Sequence, residues 1–446
     1  MPAIAGGATV RCAAMDNVRS ENGIPRPEGL VLAPFRALRY GRGVDLAAVL
    51  APPYDVIDEA ERDELARRSP VNVVRLTLPR ADRSEGSPEA AYASARETLA
   101  AWRADGTLAV DDTPAVYVYE ERSDGQVQRG LIGALGLTPA EDGIVLPHEN
   151  TMAGPVADRL ALMAAVEADL EPIFLVYDGG GAASRLVAGA DEREPDVEVT
   201  TADGITHRLW AVTDPGVLAE VADDLRGRRA VIADGHHRYA TFLRYQADRH
   251  DAGDGAGAWD LGLAFLVDGS AFGPQVHAIH RVIPGLPAGE AARRAEGAFR
   301  VRELEGSLDD ALAELAKAGV DGTAFVVTDG SASWLLSEPA AEQLAAALPA
   351  ERSEAFRRLD VTVAHLFLIR SVWGLEDREG VVDYRHDVPA ALEAARASGG
   401  CALLLNPTPV ADVAAVAAAG ERMPRKSTLF VPKPATGLVI RAFADA

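Results

Sequence analysis

The stretch Arg229-Ala230-Val231-Ile232-Ala233-Asp234-Gly235-His236-His237-Arg238-Tyr239-Ala240-Thr241-Phe242 concentrates more chemistry than any other part of this chain. Its start is a short apolar run with β-branched residues, which predicts a buried strand. It continues as Leu-Arg-Tyr-Gln-Ala without Pro or Gly, which predicts a helix. A strand entering a helix through Asp-Gly leaves backbone N–H groups and the positive end of a helix dipole at the turn. Arg238 and the imidazoles of His236 and His237 add donors there, and together they make an anion site suited to phosphate. The competing reading is Asp234 as a plain N-cap followed by surface polar residues. The unbroken polar and Gly run from Asp234 to Arg238 exceeds what capping requires.

Working outward, 446 residues leave room for several domains or for one large mixed domain with insertions. A hydrophobic fraction of 48% and a charged fraction of 25% fit an ordinary globular composition. The net charge of -23 argues against a general nucleic-acid or anionic-membrane surface. Phosphate must therefore meet a local basic pocket, and the expected partner is a small molecule. Cys12 and Cys401 offer neither a disulfide framework nor zinc spacing. No run reaches membrane-spanning length, and Met1 to Met15 lacks a signal-peptide pattern, so the chain reads as cytoplasmic.

Upstream of the turn, residues 1–28 read as a loose tail. Ala51-Pro-Pro-Tyr-Asp-Val-Ile follows, in which Pro52 and Pro53 fix an extended backbone ahead of Tyr54 and Asp55. That loop either presents Tyr54 and Asp55 to a site or simply packs, with Asp58 capping the acidic helix that runs to Arg68. Asn72 to Leu78 reads as a strand and Glu85 to Ala104 as an Ala-rich helix. Residues 115–120 and 128–137 read as strands joined by a Ser-Asp-Gly turn. A Pro- and Gly-punctuated loop then holds His148, Glu149, Thr151, Asp158 and Arg159 ahead of a helix, a make-up that often carries function. Gly179 to Ala183 reads as a flexible connection.

Downstream, Val276 to Ile283 reads as one strand with His277 and His280 on opposite faces, so both cannot serve one metal unless the strand is broken, and at least one reads as structural. Glu354 to Leu375 reads as mainly helical, with His365 as a core or capping residue. Arg422, Arg425, Lys426 and Lys433 reverse the local charge near Ser427 and Thr428, either as a solvated loop or as a phosphate or carboxylate clamp. Strands and helices of mixed order predict an α+β (mixed α/β) protein. Its first region, 29–283, holds the site, and a second α/β region, 284–446, carries the basic loop.

Five blocks resemble a widespread bacterial family catalogued as domain of unknown function 1015. They are Ala51-Pro-Pro-Tyr-Asp-Val-Ile, the Pro-His-Glu-Asn-Thr and Asp-Arg-Leu segment, Ala233-Asp-Gly-His-His-Arg-Tyr, Leu405-Asn-Pro-Thr-Pro, and Glu421-Arg-Met-Pro-Arg-Lys-Ser-Thr. In addition, Asp-Gly-His-His-Arg is similar to the phosphate-binding motif of free-serine kinases in the ParB/sulfiredoxin superfamily. That resemblance implies a ParB/sulfiredoxin-like phosphate-binding core with large insertions. It also implies phosphoryl transfer from a nucleotide or pyrophosphate to a small hydroxyl, with free L-serine as the first candidate and Mg2+ as cofactor.

Carried over residue by residue, Gly235, His236, His237 and Arg238 would cradle the donor phosphates, with His237 also counted among the catalytic groups. Asp234 would bind the acceptor or the metal, and Glu149 would take the hydroxyl proton. Arg425 and Lys426 would close over the transferred phosphate. His148, Thr151, Asp158, Arg159, Tyr54 and Asp55 would line the substrate side. No Gly-x-x-x-x-Gly-Lys-Ser/Thr loop is present, so a P-loop enzyme is excluded. A metal-dependent hydrolase and a non-catalytic nucleotide-binding regulator stand as alternatives.

Overall fold

Long β-branched runs flanked by Ala-rich amphipathic segments build sheets with helical cover, and the chain does so twice. The computed structural model describes residues 18–21, 24–80, 87–123, 125–378 and 380–445. The architecture is α+β, in two compact units. One unit comprises the chain up to Leu146, Thr151–Gly273 and Pro432–Ala446. The other comprises Pro147–Asn150 and Pro274–Val431. A division in simple sequence order, as at 283, therefore differs from these units in three segments: 147–150 and 274–283 join the second unit, and 432–446 returns to the first.

The first unit is built on a nine-stranded mixed sheet. Across it run Val197–Thr200, Thr206–Val212, Val116–Ser123, Gln126–Gly136, Leu261–Asp268, Ile173–Tyr177, Ala230–Asp234 and Val145–Leu146, with Leu32–Ala33 also paired to Gln126–Gly136. Ile173–Tyr177 is parallel to Leu261–Asp268 and antiparallel to Ala230–Asp234. Both strands are buried almost end to end, as continuous apolar runs require when both faces are covered. Ile173, Leu175, Ile232 and Leu266 share one core with Tyr239 and Phe242 of the helix His236–Asp251, so the turn is clamped on both sides. The pairing slips between Phe174 and Leu175, opposite Asp234 and Ile232. A bulge therefore sits beside the turn, a place where strands commonly re-aim side chains.

The second unit is a six-stranded antiparallel sheet in the order Arg300–Leu304, Ser333–Ser337, Ala324–Thr328, Cys401–Leu405, His280–Ile283, Asp383–Arg385. Helices Leu308–Asp321 and Val388–Ala397 bury Ala311, Leu315, Ala391, Leu392 and Ala395 against it.

Several expectations need correction. Asn72 to Leu78 is not a strand but a single helical turn, Val74–Thr77. The Asn72 carboxamide accepts from the Val74 N–H at 2.9 Å and donates to the Ala48 carbonyl at 2.9 Å. Those side-chain-to-backbone bonds override the β-propensity of two valines. Val276 to Ile283 is broken: Gln275–His277 pairs with Leu429–Val431, whereas His280–Ile283 belongs to the six-stranded sheet. One strand cannot serve two sheets without a bend. Glu354 to Leu375 is mainly helical as expected, but in three pieces: Glu354–Arg358 and Asp360–Thr362 lead into a π-helix, Val363–Val372.

Gly179 to Ala183 is no loose link either, because a helix starts at Gly181. The Arg228 guanidinium ties the Gly179 and Gly180 carbonyls to Asp224. Within the expected tail, Val18–Glu21 pairs with Ile24–Pro27. Met1 to Met15 with Cys12, the hairpin residue Asp124 and the expected helix start at Glu85 lie outside the described residues; the helix there is Pro88–Ala104, capped by Ser87. No helix among the described residues is long and apolar enough to cross a membrane.

Candidate functional site: the Asp-Gly-His-His-Arg turn

Strand Ala230–Asp234 passes into helix His236–Asp251 through Gly235, which adopts φ 91° and ψ 28°. This left-handed conformation favours glycine. The space is also short, since a Cβ here would lie 3.1 Å from the Arg238 Nε and 3.2 Å from the Ile173 Cγ2. As N-cap, Gly235 brings no side-chain oxygen to the first turn. The reading of Asp234 as an ordinary cap is thereby ruled out. Its carboxylate instead accepts from Arg238 Nη2 and lies 2.5 Å from the Lys433 Nζ.

Arg238 is only 5% exposed, and its Nη1 donates to the Pro172 carbonyl at 2.5 Å. Burial opposes its charge, but Asp234, Asp55 and Glu171 outweigh that and hold the guanidinium more firmly protonated than usual. Two of its nitrogens therefore brace the turn through Pro172 and Asp234, while the buried Nε has no hydrogen-bond partner among the described residues. Imidazole His237 stands at the mouth, and its Nε2 accepts from the Met152 N–H at 3.1 Å. Burial and Arg238 push its pKa down against the pull of Asp55 and Asp234, so the ring is neutral with its proton on Nδ1. His236 is buried.

The Pro-Pro-Tyr-Asp loop docks against this turn. Ala51 and Thr436 exchange backbone hydrogen bonds of 3.2 and 2.8 Å, which pins the loop to the returning C-terminal segment. Glu171 Oε1 then accepts from the Tyr54 N–H at 2.8 Å and from the Thr436 hydroxyl at 3.1 Å. Burial pushes the Glu171 carboxyl up, while Arg238 and Arg159 pull it down. The Tyr54 ring lies 4.3 Å from the Arg159 guanidinium and 6.0 Å from that of Arg238, cation–π distances for both. Burial nonetheless raises the Tyr54 phenol to about 12.

Arg159 is itself held by Asp158 Oδ2 at 2.5 Å and by the Thr77 carbonyl at 2.5 Å, and Asp158 takes the Tyr92 hydroxyl at 2.6 Å. Asp55 lies 3.5 Å from Lys433 Nζ. Burial works against its charge, but Arg238 and Lys433 together keep the carboxyl below its ordinary range.

The structure thus brings Tyr54, Asp55, Asp158, Arg159, Asp234, Gly235, His237 and Arg238 into one neighbourhood. It adds Glu171, which sequence reasoning missed, and Lys433, which it named in the basic cluster without placing it at this turn. Lys433 was visible only as part of a basic cluster; its setting in Pro432-Lys433-Pro434 was the available signal. Thr151 is exposed, immediately before Met152.

His236 and Thr151 also lie in the first unit, whereas His148, Glu149, Arg425 and Lys426 lie in the second. His148 is fully buried, shares a 3.0 Å hydrogen bond between its Nε2 and Thr428 Oγ1, and packs beside Phe430. Glu149 is half-buried on the same short segment. Arg425 is committed to Asp377 through two bonds of 3.1 and 2.8 Å. Lys426 takes a left-handed φ of 55°, and its carbonyl accepts from Arg281 at 2.9 Å. His277 is exposed, whereas His280 is buried and its Nδ1 accepts from the Leu405 N–H at 3.4 Å. Among the described residues no group of three or more His, Cys, Asp or Glu side chains is arranged to hold a metal ion.

No curated protein matches the chain. Among solved structures it is similar to a free serine kinase in complex with AMP, at 15% identity and a TM-score of 0.31, covering 73% of this chain and 92% of that one. It is similar to SbnI with a C-terminal truncation from Staphylococcus aureus, at 9% identity and 0.34, covering 70% and 87%. A conserved hypothetical protein from Pyrococcus furiosus gives 13% and 0.32, covering 72% and 98%. Scores this low do not establish a shared fold. The model of a family described as protein of unknown function, DUF1015, matches residues 32–362. That span contains the Pro-Pro-Tyr-Asp loop, the His148 segment and the Asp-Gly-His-His-Arg turn, and it ends before the blocks at 405 and 421. With the match covering well over half of its length, the chain belongs to the DUF1015 family.

Proposed function

We propose that this chain is a phosphotransferase, moving a phosphoryl group from a nucleotide or pyrophosphate to the hydroxyl of a small metabolite, with free L-serine as the first candidate. One observation carries the reading: a buried strand delivers a helix N-terminus with a side-chain-free cap, and Asp55, Asp234 and His237 stand around it. Phosphoryl transfer asks the protein mainly to hold donor phosphates, to offset developing charge and to aim a hydroxyl. The first-turn N–H groups and the Nδ1–H of His237 hold the donor. Arg238 keeps Asp234 in place, and Arg159 and Glu171 keep Tyr54 in place.

Asp234 aims the acceptor hydroxyl, and Glu149 is the proposed general base, on the sequence resemblance alone. Mg2+, when bound, would offset phosphate charge, and the carboxylates of Asp55 and Asp234 supply the hard oxygen ligands it takes. We leave Arg425 and Lys426 out of the phosphate site, because the Arg425 guanidinium is already engaged by Asp377.

The test is phosphorus NMR of the purified protein with magnesium, L-serine and, in turn, ATP, ADP or pyrophosphate. A phosphoserine signal that disappears in Asp234→Ala supports the reading and names the donor. Donor hydrolysis without phosphoserine moves the search to another acceptor. Measured nucleotide binding with every donor left intact would contradict turnover and assign the chain to the regulators.

A further inference from the structure

We infer that Lys433 is an exchangeable phosphate ligand of the turn, leaving Asp55 and Asp234 for an incoming phosphate while the segment Pro432–Thr436 holds its backbone still. This rests on the phosphate-site reading proposed above. The first observation is compositional. The chain has three lysines, Lys317, Lys426 and Lys433, beside 41 arginines. Where arginine serves nearly every surface cation, a lysine between two carboxylates points to a need for the ammonium itself. An ammonium is a compact charge on a flexible stem that can change partners, whereas a guanidinium favours a fixed bidentate fit.

The second observation is how the segment is held. Gln128 Nε2 donates to the Pro432 carbonyl at 3.1 Å, and the Ala435 N–H donates to the Tyr119 hydroxyl at 3.1 Å. Thr436 is tied to Ala51 and to Glu171. Behind these anchors, Glu121 Oε2 accepts from Gln128 at 2.8 Å and Tyr119 shares a 2.9 Å hydrogen bond with His207 Nδ1. Pro432 and Pro434 fix φ on both sides of the lysine. The backbone is thus pinned before and after Lys433, and the side chain is the part left to move.

The third observation is charge. Asp55, Asp234, Lys433 and Arg238 balance one another, and Lys433 bridges the two carboxylates at 3.5 and 2.5 Å. A phosphate arriving at the helix start upsets that balance. Arg238 is held by Pro172 and Asp234, while the Lys433 side chain, 16% exposed, is the cation able to answer.

The experiment uses the full chain with lysine labelled with carbon-13 at Cε, which gives three signals, assigned with Lys433→Arg. ADP and pyrophosphate are titrated while calorimetry follows affinity in wild type, Lys433→Arg and Lys433→Met. The Lys433 signal is expected to shift on saturation while those of Lys317 and Lys426 stay in place. Affinity should fall about tenfold or more in Lys433→Met and less in Lys433→Arg, as for loss of a charge-assisted hydrogen bond. Tight binding with an unmoved Lys433 signal would overturn the inference and leave the phosphate site standing. Absence of ADP and pyrophosphate binding in wild type would overturn both. If Lys433→Met does not fold, the wild-type titration alone decides.

Discussion

Two carboxylates, Asp234 in the first unit and Asp377 in the second, each gather cations around an aromatic ring, and they are finished to different degrees. Asp377 takes the Tyr384 hydroxyl at 2.6 Å, lies 3.2 Å from His365 Nδ1 and is gripped twice by Arg425. Despite burial, these bonds hold it far below the usual carboxylate range. Behind it, wholly buried Arg281 donates to His365 Nε2 at 3.0 and 2.9 Å. Burial brings that guanidinium down to about 10 and keeps His365 neutral.

Asp234 has one fixed partner, Arg238, and one on a flexible stem, Lys433, and it faces a helix start whose N-cap, Gly235, has no side chain. The difference teaches that counting basic residues does not find a phosphate site. A closed network spends its donors on itself; an open one keeps some for a ligand.

The comparison can be broken by removing its closed half. Asp377→Ala strips partners from Tyr384, His365 and Arg425 and leaves Arg281 with less compensation, so a loss of about 3 kcal/mol is expected in urea unfolding. ADP affinity should not change; a drop would show that the Asp377 network belongs to the phosphate site after all. Removing the open half should do the reverse. Asp234→Ala is expected to lower phosphoryl transfer by a factor of about 100 or more, with the fold retained by circular dichroism.

A third test concerns the support of the Lys433 segment. Burial lifts the Glu121 carboxyl from 4.5 to about 8, against Tyr119, Gln128 and the Ala435 N–H. His207, nearby, is pushed down to about 4 by burial, and stays neutral. Between those Glu121 values the folded chain keeps a proton that the unfolded chain has released. Stability from this group is therefore full below about pH 4.5 and falls, by about 1.4 kcal/mol per pH unit, until about pH 8. Glu121→Gln should flatten that slope relative to wild type; an unchanged slope would mean that Glu121 is ionised in the fold. The smallest effect is expected for Arg425→Ala. Its side chain is 55% exposed, so the pair with Asp377 is screened and its loss should cost about 0.5 kcal/mol.

What the sequence showed and hid follows the range of the interactions. The strand–turn–helix around Asp234 was legible because its pattern and its glycine are local. Tyr54 and Asp55 were legible because two prolines announce a fixed loop. Lys433 was not, since its place depends on the pairing of Ala51 with Thr436, far apart in the chain. The brace role of Arg238 also escaped, because its direction is set by the Pro172 carbonyl on a neighbouring segment. The reach of Arg425 was misjudged for the same reason: Asp377 lies in a polar stretch with no periodicity to mark it. Asn72 was lost to propensity, because the bond its carboxamide accepts from the Val74 N–H outweighs two valines.

The central claim is that phosphate enters at Gly235. Calorimetric titration of ADP into wild type and a folded Gly235→Ala variant tests it most directly. A Cβ there adds strain at φ 91° and presses on Arg238 and Ile173, so the account predicts binding by wild type and at least about tenfold weaker binding by the variant. Equal affinity in both proteins would contradict it.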